Sequence, residues 1–417
     1  MTKRVSPAAA VATLAPGSRV VASPNCATPE TLLRELGVHA LNAPGIELSS
    51  ALLLGTLPFR DAVVAGALAY RSWHVSPKAR DLVRAGLVEY VPLRAGDVPA
   101  HVRSAVYDAV LVRVSPPSGG VVTLGPAATY TRAAIDGAAT VIAEIDERLP
   151  HTFGDDVSVP IDEIDYLVES DTETCLYESA ASDPVSDRIA ERIAELLPRA
   201  ATVQIGIGAI PEALCGRLAD APVGALHAVG LTIDQHLRLF ETNRLSEAER
   251  PAVFAVEVMG SREILDFVHR NPAIEMISST RCHDPRWLST LRRFVSVNTA
   301  IEIDLDGQVA SETIRGESIA GIGGSFDFFE GASWSPGGLR VLALASTTVD
   351  GRISKIVPRL AEGTPVTIPR HSVDVVVTEY GVARLAGRSR RERAEALTAI
   401  AAPPFRDALA DASGLLR

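Results

Sequence analysis

The sequence predicts an α/β fold built around parallel sheets and arranged as two α/β halves. Three observations lead there. Strand and helix signals alternate along the chain. The runs "RVLALAST" and "DVVVTEYG" are short and almost continuously apolar, as strands buried on both faces are. The stretch "VQIGIGAIPEAL", Val203 to Leu214, passes from an apolar run through Gly206-Ile207-Gly208 to a helix start marked by Pro211 and Glu212. Such a junction turns backbone N–H groups and a helix N-terminus toward a ligand.

The elements follow in chain order. "MTKRVSPAAAVATLAPGSRVV" has the outline of a signal peptide, but Pro16 and Gly17 break its Ala-rich centre. A short amphipathic helix is the expected structure and the cytoplasm the expected location. "AVYDAVLVRVSPP" ends in a strand, and "TVIAEIDERLP" holds another. "YESAASDPVSDRIAERIAELL" (Tyr177 to Leu197) is small and polar, then helical. It divides the chain into an N-terminal domain, 1–185, and a C-terminal domain, 186–417. "AVFAVEVMG" is a strand followed at once by the helix "SREILDFVHRN", with Ser261 as N-cap and Ile264, Leu265 and Val268 on one face. The last 30 or so residues are helical, with their basic side chains solvated.

Composition narrows the function classes. The 417 residues are 47% hydrophobic and 22% charged, as in ordinary globular proteins. A net charge of −11 provides no basic footprint for nucleic acid or an anionic membrane. No apolar run approaches the ~20 residues that span a bilayer. Cys26, Cys175, Cys215 and Cys282 are far apart and form no CxxC, which argues against a disulfide framework and a zinc site. No metal site is expected. Cys215 reads as a packed small residue. Only three of the basic residues are lysines, a matter of coding bias rather than function.

Four glycine-rich turns carry the chemistry: Gly206-Ile207-Gly208, "AGIGGSFDF" (Ala320 to Phe328), "SPGG" (Ser335 to Gly338) and "TEYGVARLAG". Together they suggest backbone cradling an extended anionic or carbonyl-bearing ligand. A dinucleotide site fits poorly. The first turn reads GxGxxP, and "GALHAVG", about 20 residues on, has no acid for a ribose hydroxyl. GxxxxGK[ST] and GxSxG are also absent.

The ordered motifs resemble the acetyl-CoA hydrolase / 4-hydroxybutyrate CoA-transferase family, within the class I CoA-transferases. The resemblance runs from "VSPP" (Val114 to Pro117) through "IAEIDERLPHTFGDDVSVPIDEIDYLVE", "QIGIGAIPEAL" and "MGSREILDFVHRNPAIEM". It continues in "SVNTAIEIDLDGQVASE", "SIAGIGGSFDFFEGA" and the C-terminal "VVVTEYGVARLAGRSRRERAEALTAIAAPPFRDAL". It implies two tandem open α/β/α domains with an acyl-CoA site at their interface, a homo-oligomer (a homodimer is expected), and no tightly bound cofactor. A coenzyme A thioester is the implied substrate, with no nucleic-acid or membrane partner. In such enzymes a glutamate attacks the thioester and passes through an acyl-glutamyl anhydride and a glutamyl-CoA thioester. Backbone amides hold the oxyanion.

The family pattern for that glutamate is G-[ILM]-H-[ST]-E-x-x-x-D. Here the stretch is "GALHAVGLTIDQHLRLFETN". Matching His227 to the family histidine puts Val229 at the glutamate; matching Asp234 puts Gly230 there. Neither can attack a thioester. The family's GVGGQxDF becomes Gly321-Ile322-Gly323-Gly324-Ser325-Phe326-Asp327-Phe328, with Ser325 in place of Gln. Its S-K-G-G-K becomes Ser335-Pro336-Gly337-Gly338-Leu339, and Arg340 is the remaining cation that could meet a CoA phosphate.

Glu257, an acid in the apolar strand "AVFAVEVMG", is the candidate replacement: a desolvated carboxyl suits general acid–base work. A paired or solvated face of the strand is the alternative. His227 is a candidate base or hydrogen-bond donor, with a satisfied structural histidine as the alternative, and Ser325 is a candidate nucleophile that needs a nearby base, none being evident in the sequence. Gly206, Ile207, Gly208, Val229, Gly230, Gly321, Gly323 and Gly324 are expected to border the substrate, with Trp73 and His74 against its acyl group. The reading is an acyl-CoA or related acyl enzyme that works without the family glutamate, by hydrolysis, lyase or condensation chemistry, in a specialised biosynthetic pathway. The alternatives are a true CoA-transferase or hydrolase using a relocated carboxylate, a non-catalytic binding protein, and an enzyme for a smaller substrate without CoA.

Overall fold

The short strand Lys3–Arg4 and the helix Pro7–Val11 open the computed structural model, which describes residues 2–245, 251–314 and 316–413. Pro7 occupies the first helical turn, where its missing N–H costs nothing, and the Ser6 hydroxyl accepts from Ala9 N–H at 3.2 Å. The chain divides into two units.

The first unit comprises Met1–Glu178, Val253–Cys282 and Ile319–Gly321. Its eight-stranded sheet runs Lys3–Arg4, Tyr166–Glu169, Val141–Ile145, Ala109–Val114, Arg19–Ala22, Ile46–Ser50, Leu68–Ser72, Val88–Tyr90. Every pairing in it is parallel. From Arg19–Ala22 the chain winds outward one way through Ile46–Ser50 to Val88–Tyr90, and from Ala109–Val114 the other way. Strand order therefore reverses between Arg19–Ala22 and Ala109–Val114. In open α/β sheets ligands bind beyond the carboxyl ends of the strands at such a reversal. The core holds Leu32, Leu33 and Leu36 of the helix Glu30–Asn42 against Ile46, Leu48 and Leu111. The strands Val253–Val258 and Ile274–Met276 pair in parallel and belong to this unit.

The second unit comprises Ser179–Ala252, His283–Ser318 and Ile322–Arg417. It opens on the helix Pro184–Ala194, where Asp183 caps the N–H groups of Val185 and Ser186 at 2.9 and 3.1 Å and Ile189 and Ile193 are buried. Its strands run in the order His227–Thr232, Thr202–Ile205, Phe294–Thr299, Leu339–Ala343, Val375–Thr378, Gly381–Arg384. All the pairings are parallel except the last. Order reverses between Thr202–Ile205 and Phe294–Thr299, and the Gly206–Gly208 turn leaves the carboxyl end of the first of these. Each unit is thus an open, doubly wound parallel sheet, as expected. The C-terminal helix Arg390–Ala399 begins with a Ser389–Glu392 capping box.

No helix among the described residues is long and apolar enough to cross a membrane. Among them no group of three His, Cys, Asp or Glu side chains is placed to hold a metal.

Candidate active site

In the second unit the helix Ala209–Asp220 starts directly after the glycine turn. Gly208 has φ +106°, which a side chain would strain, and its N–H donates to the buried Glu212 carboxylate at 3.2 Å. That carboxylate suits the positive end of the helix. A Cβ built at Gly206 meets nothing within 4 Å. The φ of Gly206 is not positive, no close neighbour among the described residues requires glycine there, and the space beside it is open. We expect Gly206→Ala to leave the melting temperature unchanged within about 2 °C while costing at least ~10-fold in kcat/KM for an acyl-CoA. Thermal unfolding and steady-state kinetics on one preparation check both.

Val229 and Gly230 lie in the strand His227–Thr232, in register with Gln204 and Ile205. Val229 is buried. Gly230 has φ +100°, and a Cβ there would press on Gln204 Cγ and Phe328 Cζ, both at 3.3 Å. A side chain at 230 is thus opposed by backbone and packing together. Gly230→Ala is expected to destabilise by roughly 2–4 kcal/mol, read by denaturant unfolding. Beside these positions lies a buried polar triad. Ser296 Oγ donates to Gln204 Oε1 at 2.7 Å, and Asn298 Nδ2 donates to Gln204 Oε1 at 3.1 Å and to Ser296 Oγ at 2.9 Å.

His227 is not brought to the turn. It heads its strand, opposite Thr202, whereas the turn follows the carboxyl end of the neighbouring strand. Three residues of strand put it about 10 Å from Gly230 along the sheet. Ser325 is the first residue of the helix Ser325–Trp334, and no base is hydrogen-bonded to its hydroxyl among the described residues. Gly324, just before it, lies so close to His283 that a Cβ would stand 2.4 Å from Nε2. Arg340 is committed elsewhere: it makes a bidentate pair with Asp374, Nη2 to Oδ1 at 2.6 Å and Nε to Oδ2 at 3.0 Å. Cys215 and His236 approach to 3.7 Å, yet burial pushes the thiol far up and the imidazole down to about 4, so both are neutral packing groups. Glu379 anchors its turn by accepting from Ser346 N–H at 2.9 Å and Ser346 Oγ at 2.6 Å.

The first unit carries the perturbed acid. Glu257 lies in the strand Val253–Val258, bridged to Ala127. It keeps part of its surface open. Burial nevertheless pushes its carboxyl up to about 7, against the opposing pull of the Asn25 amide, which donates to Oε1. Tyr130 stands by: its hydroxyl donates to Ala22 O at 2.6 Å and accepts from Ala51 N–H at 3.1 Å. Trp73 is buried with its ring edge-on to Tyr130, centroids 5.1 Å apart. His74 is half-buried, and burial lowers its imidazole to about 4, so it is neutral. Gly321 touches this pair: a Cβ would fall 2.4 Å from Trp73 O and 3.0 Å from His74 Cα. Gly323 has φ +66° and open space beside it.

Sequence reasoning reached Glu257 from an acid in an apolar strand. It missed Asn25, Tyr130, His283 and the Gln204–Ser296–Asn298 triad. For the triad a signal existed, since Gln204, Ser296 and Asn298 are polar residues inside apolar strands. For Asn25 there was none.

The chain is similar to known proteins over nearly its whole length. The acetyl-CoA hydrolase/transferase N-terminal domain matches residues 2–176, and the C-terminal domain of the same name matches 260–413. The chain is 33% identical over 413 residues to 4-hydroxybutyrate coenzyme A transferase of Clostridium kluyveri, covering 98% of this chain and 96% of that protein. Among solved structures, RipA from Yersinia pestis superposes with a TM-score of 0.92 at 27% identity, covering 99% of this chain and 97% of that one. The 4-hydroxybutyrate CoA-transferase from Porphyromonas gingivalis gives 0.81 at 28% identity, covering 100% and 98%. The chain belongs to the acetyl-CoA hydrolase/CoA-transferase family of enzymes.

Proposed function

We propose that this enzyme acts on an acyl-CoA or related acyl substrate without a covalent glutamate, using Glu257 as a general base. The observation that carries the reading is Glu257 itself, an acid in an otherwise apolar strand, held at about 7 by burial. A base of that strength is matched to neutral pH. Val229 and Gly230, where the family pattern has its glutamate, hold no carboxylate.

In hydrolysis the Glu257 carboxylate takes a proton from water as the water oxygen bonds to the thioester carbonyl carbon. The carbonyl π pair moves onto oxygen, where backbone N–H donors stabilise it. Collapse re-forms the carbonyl and breaks the C–S bond, and the departing thiolate recovers the proton from Glu257. Acyl-CoA and water thus give acid and free CoA. In lyase or condensation chemistry the same base takes its proton from the carbon beside the thioester.

A second reading has one specific support: the Clostridium kluyveri and Porphyromonas gingivalis relatives are named as CoA-transferases. In it a relocated carboxylate exchanges CoA between acids. The two separate in one assay. Acetyl-, butyryl-, 4-hydroxybutyryl- and succinyl-CoA are each incubated with the enzyme, with and without acetate, and free thiol and new thioesters are measured. The first reading expects substrate consumption without acetyl-CoA formed from acetate. Acetate-dependent formation of acetyl-CoA establishes the second instead.

A further inference from the structure

Asn25 lies in the loop leaving Arg19–Ala22, the strand at which the first unit's order reverses. Its backbone is left-handed, φ +55°, a conformation that asparagine tolerates better than most residues. Three bonds fix it there. Its N–H donates to Leu52 O at 2.8 Å, and its carbonyl accepts from Thr28 Oγ1 at 2.6 Å and Thr28 N–H at 3.0 Å. The loop is closed by Ser23 Oγ on Ala27 O at 2.6 Å and tied to the sheet by Arg113 N–H on Ser23 Oγ at 3.2 Å. The side chain so placed gives Nδ2 to Glu257 Oε1, while its buried Oδ1 has no hydrogen-bond partner. An orphaned buried amide oxygen costs about 1–3 kcal/mol.

Resting on the reading of Glu257 as the base, we propose that Asn25 is its positioning residue: it fixes the carboxyl and, by donating to it, favours the ionised form that acts as the base. Its NH2 donates to Glu257 Oε1, as a carboxylate but not a carboxylic acid hydroxyl requires. The amide oxygen turned away, Oδ1, is the atom without a hydrogen-bond partner among the described residues. The Tyr130 phenol senses the Glu257 charge and is kept neutral by burial, against the opposing pull of the Ala51 N–H. No charged side chain is paired with Glu257 among the described residues.

The test titrates Glu257 without relying on turnover. Infrared spectra of full-length enzyme carrying 13C-carboxyl glutamate, minus those of Glu257→Gln, isolate its carboxyl band across pH. Asn25→Gly removes the amide at no backbone cost, because glycine accepts the left-handed φ, and Asn25→Asp replaces the donor by a second acid. The expected result is a midpoint raised by about one pH unit in Asn25→Gly and by more in Asn25→Asp. The pH limb of kcat/KM, measured with the fastest acyl-CoA of the panel above, moves by the same amount while KM changes less than about twofold. A midpoint unmoved in both variants, in protein that melts as wild type does, overturns the positioning role. A midpoint that moves while the kinetic limb stays put keeps the positioning role and removes the reading of Glu257 as the base.

Discussion

Glu257→Gln is expected to lose activity and gain stability at alkaline pH. The loss follows from removing the base, a group of a kind that contributes about 10²–10⁴-fold to rate. The gain follows from linkage. The folded carboxyl sits near 7 and the unfolded one near its ordinary 4.5. Below 4.5 both states are protonated, and the stability this group contributes is fully present. As pH rises from 4.5 to 7 the unfolded chain gives up a proton that the folded chain keeps, so stability falls; above 7 the loss is constant, about 3 kcal/mol. Glutamine keeps the acceptor for Asn25 and carries no charge, so it escapes that loss. Denaturant unfolding of both proteins at pH 4 and pH 8 checks this: equal stability at pH 4, and the variant more stable at pH 8. A variant equal to wild type at both pH values leaves the carboxyl unperturbed and refutes the mechanism. The native acid is thus a site where function is kept against stability.

Arg113→Met is expected to be the most damaging single change to the first unit. Arg113 is fully buried. Its guanidinium bonds Asp146 Oδ2 at 2.8 Å, Thr172 O at 2.7 Å, Ser170 Oγ at 3.1 Å and Thr28 O at 3.2 Å, and lies 3.5 Å from Glu144. Burial raises the buried Glu144 carboxyl, with Arg113 opposing it. For Asp146 burial also pulls upward but is outweighed by the Thr174 hydroxyl and then Arg113, so it is held low. Methionine leaves Glu144 without its cation and Asp146 with only the more exposed Arg148, a loss of about 3–5 kcal/mol. That lowers the melting temperature by roughly 6–20 °C for a unit of this size. Because Arg113 also holds the Thr28 end of the Asn25 loop, activity falls with it. The deficit shrinks toward pH 4, where the stranded acids take up protons; a deficit independent of pH would mean that lost packing, not stranded charge, sets its size. Arg113→Lys cannot reproduce the planar fork and is expected to lie between methionine and wild type.

The parallel sheets were legible because strands buried on both faces leave a local mark. Leu339–Ala343 and Val375–Thr378 each lie in a stretch that reads as a short, nearly continuous apolar run. The strand–glycine–helix junction at Gly206 was legible for a similar reason, since turn chemistry lies in consecutive residues. Glu257 showed itself by breaking an apolar run. Its partner did not, because Asn25 stands 232 residues away and only the topology brings the two together. Arg340 shows the reverse: a lone cation in sequence is a candidate phosphate ligand until the fold pairs it with Asp374. His227 lies at the start of its strand, away from the neighbouring glycine turn, for a reason of direction. A strand has two ends, and sequence alone does not show which one faces the neighbouring turn.

The most direct test of the account is borohydride trapping during turnover. Wild-type enzyme is mixed with the acyl-CoA it consumes fastest, reduced with borohydride, digested and analysed by mass spectrometry for every glutamate peptide. Chemistry through a general base predicts that all glutamates stay unmodified while substrate is consumed, and that Glu257→Gln abolishes consumption. A glutamate reduced to its alcohol, at Glu257 or at any other position, would show a covalent acyl- or CoA-enzyme intermediate and contradict the account.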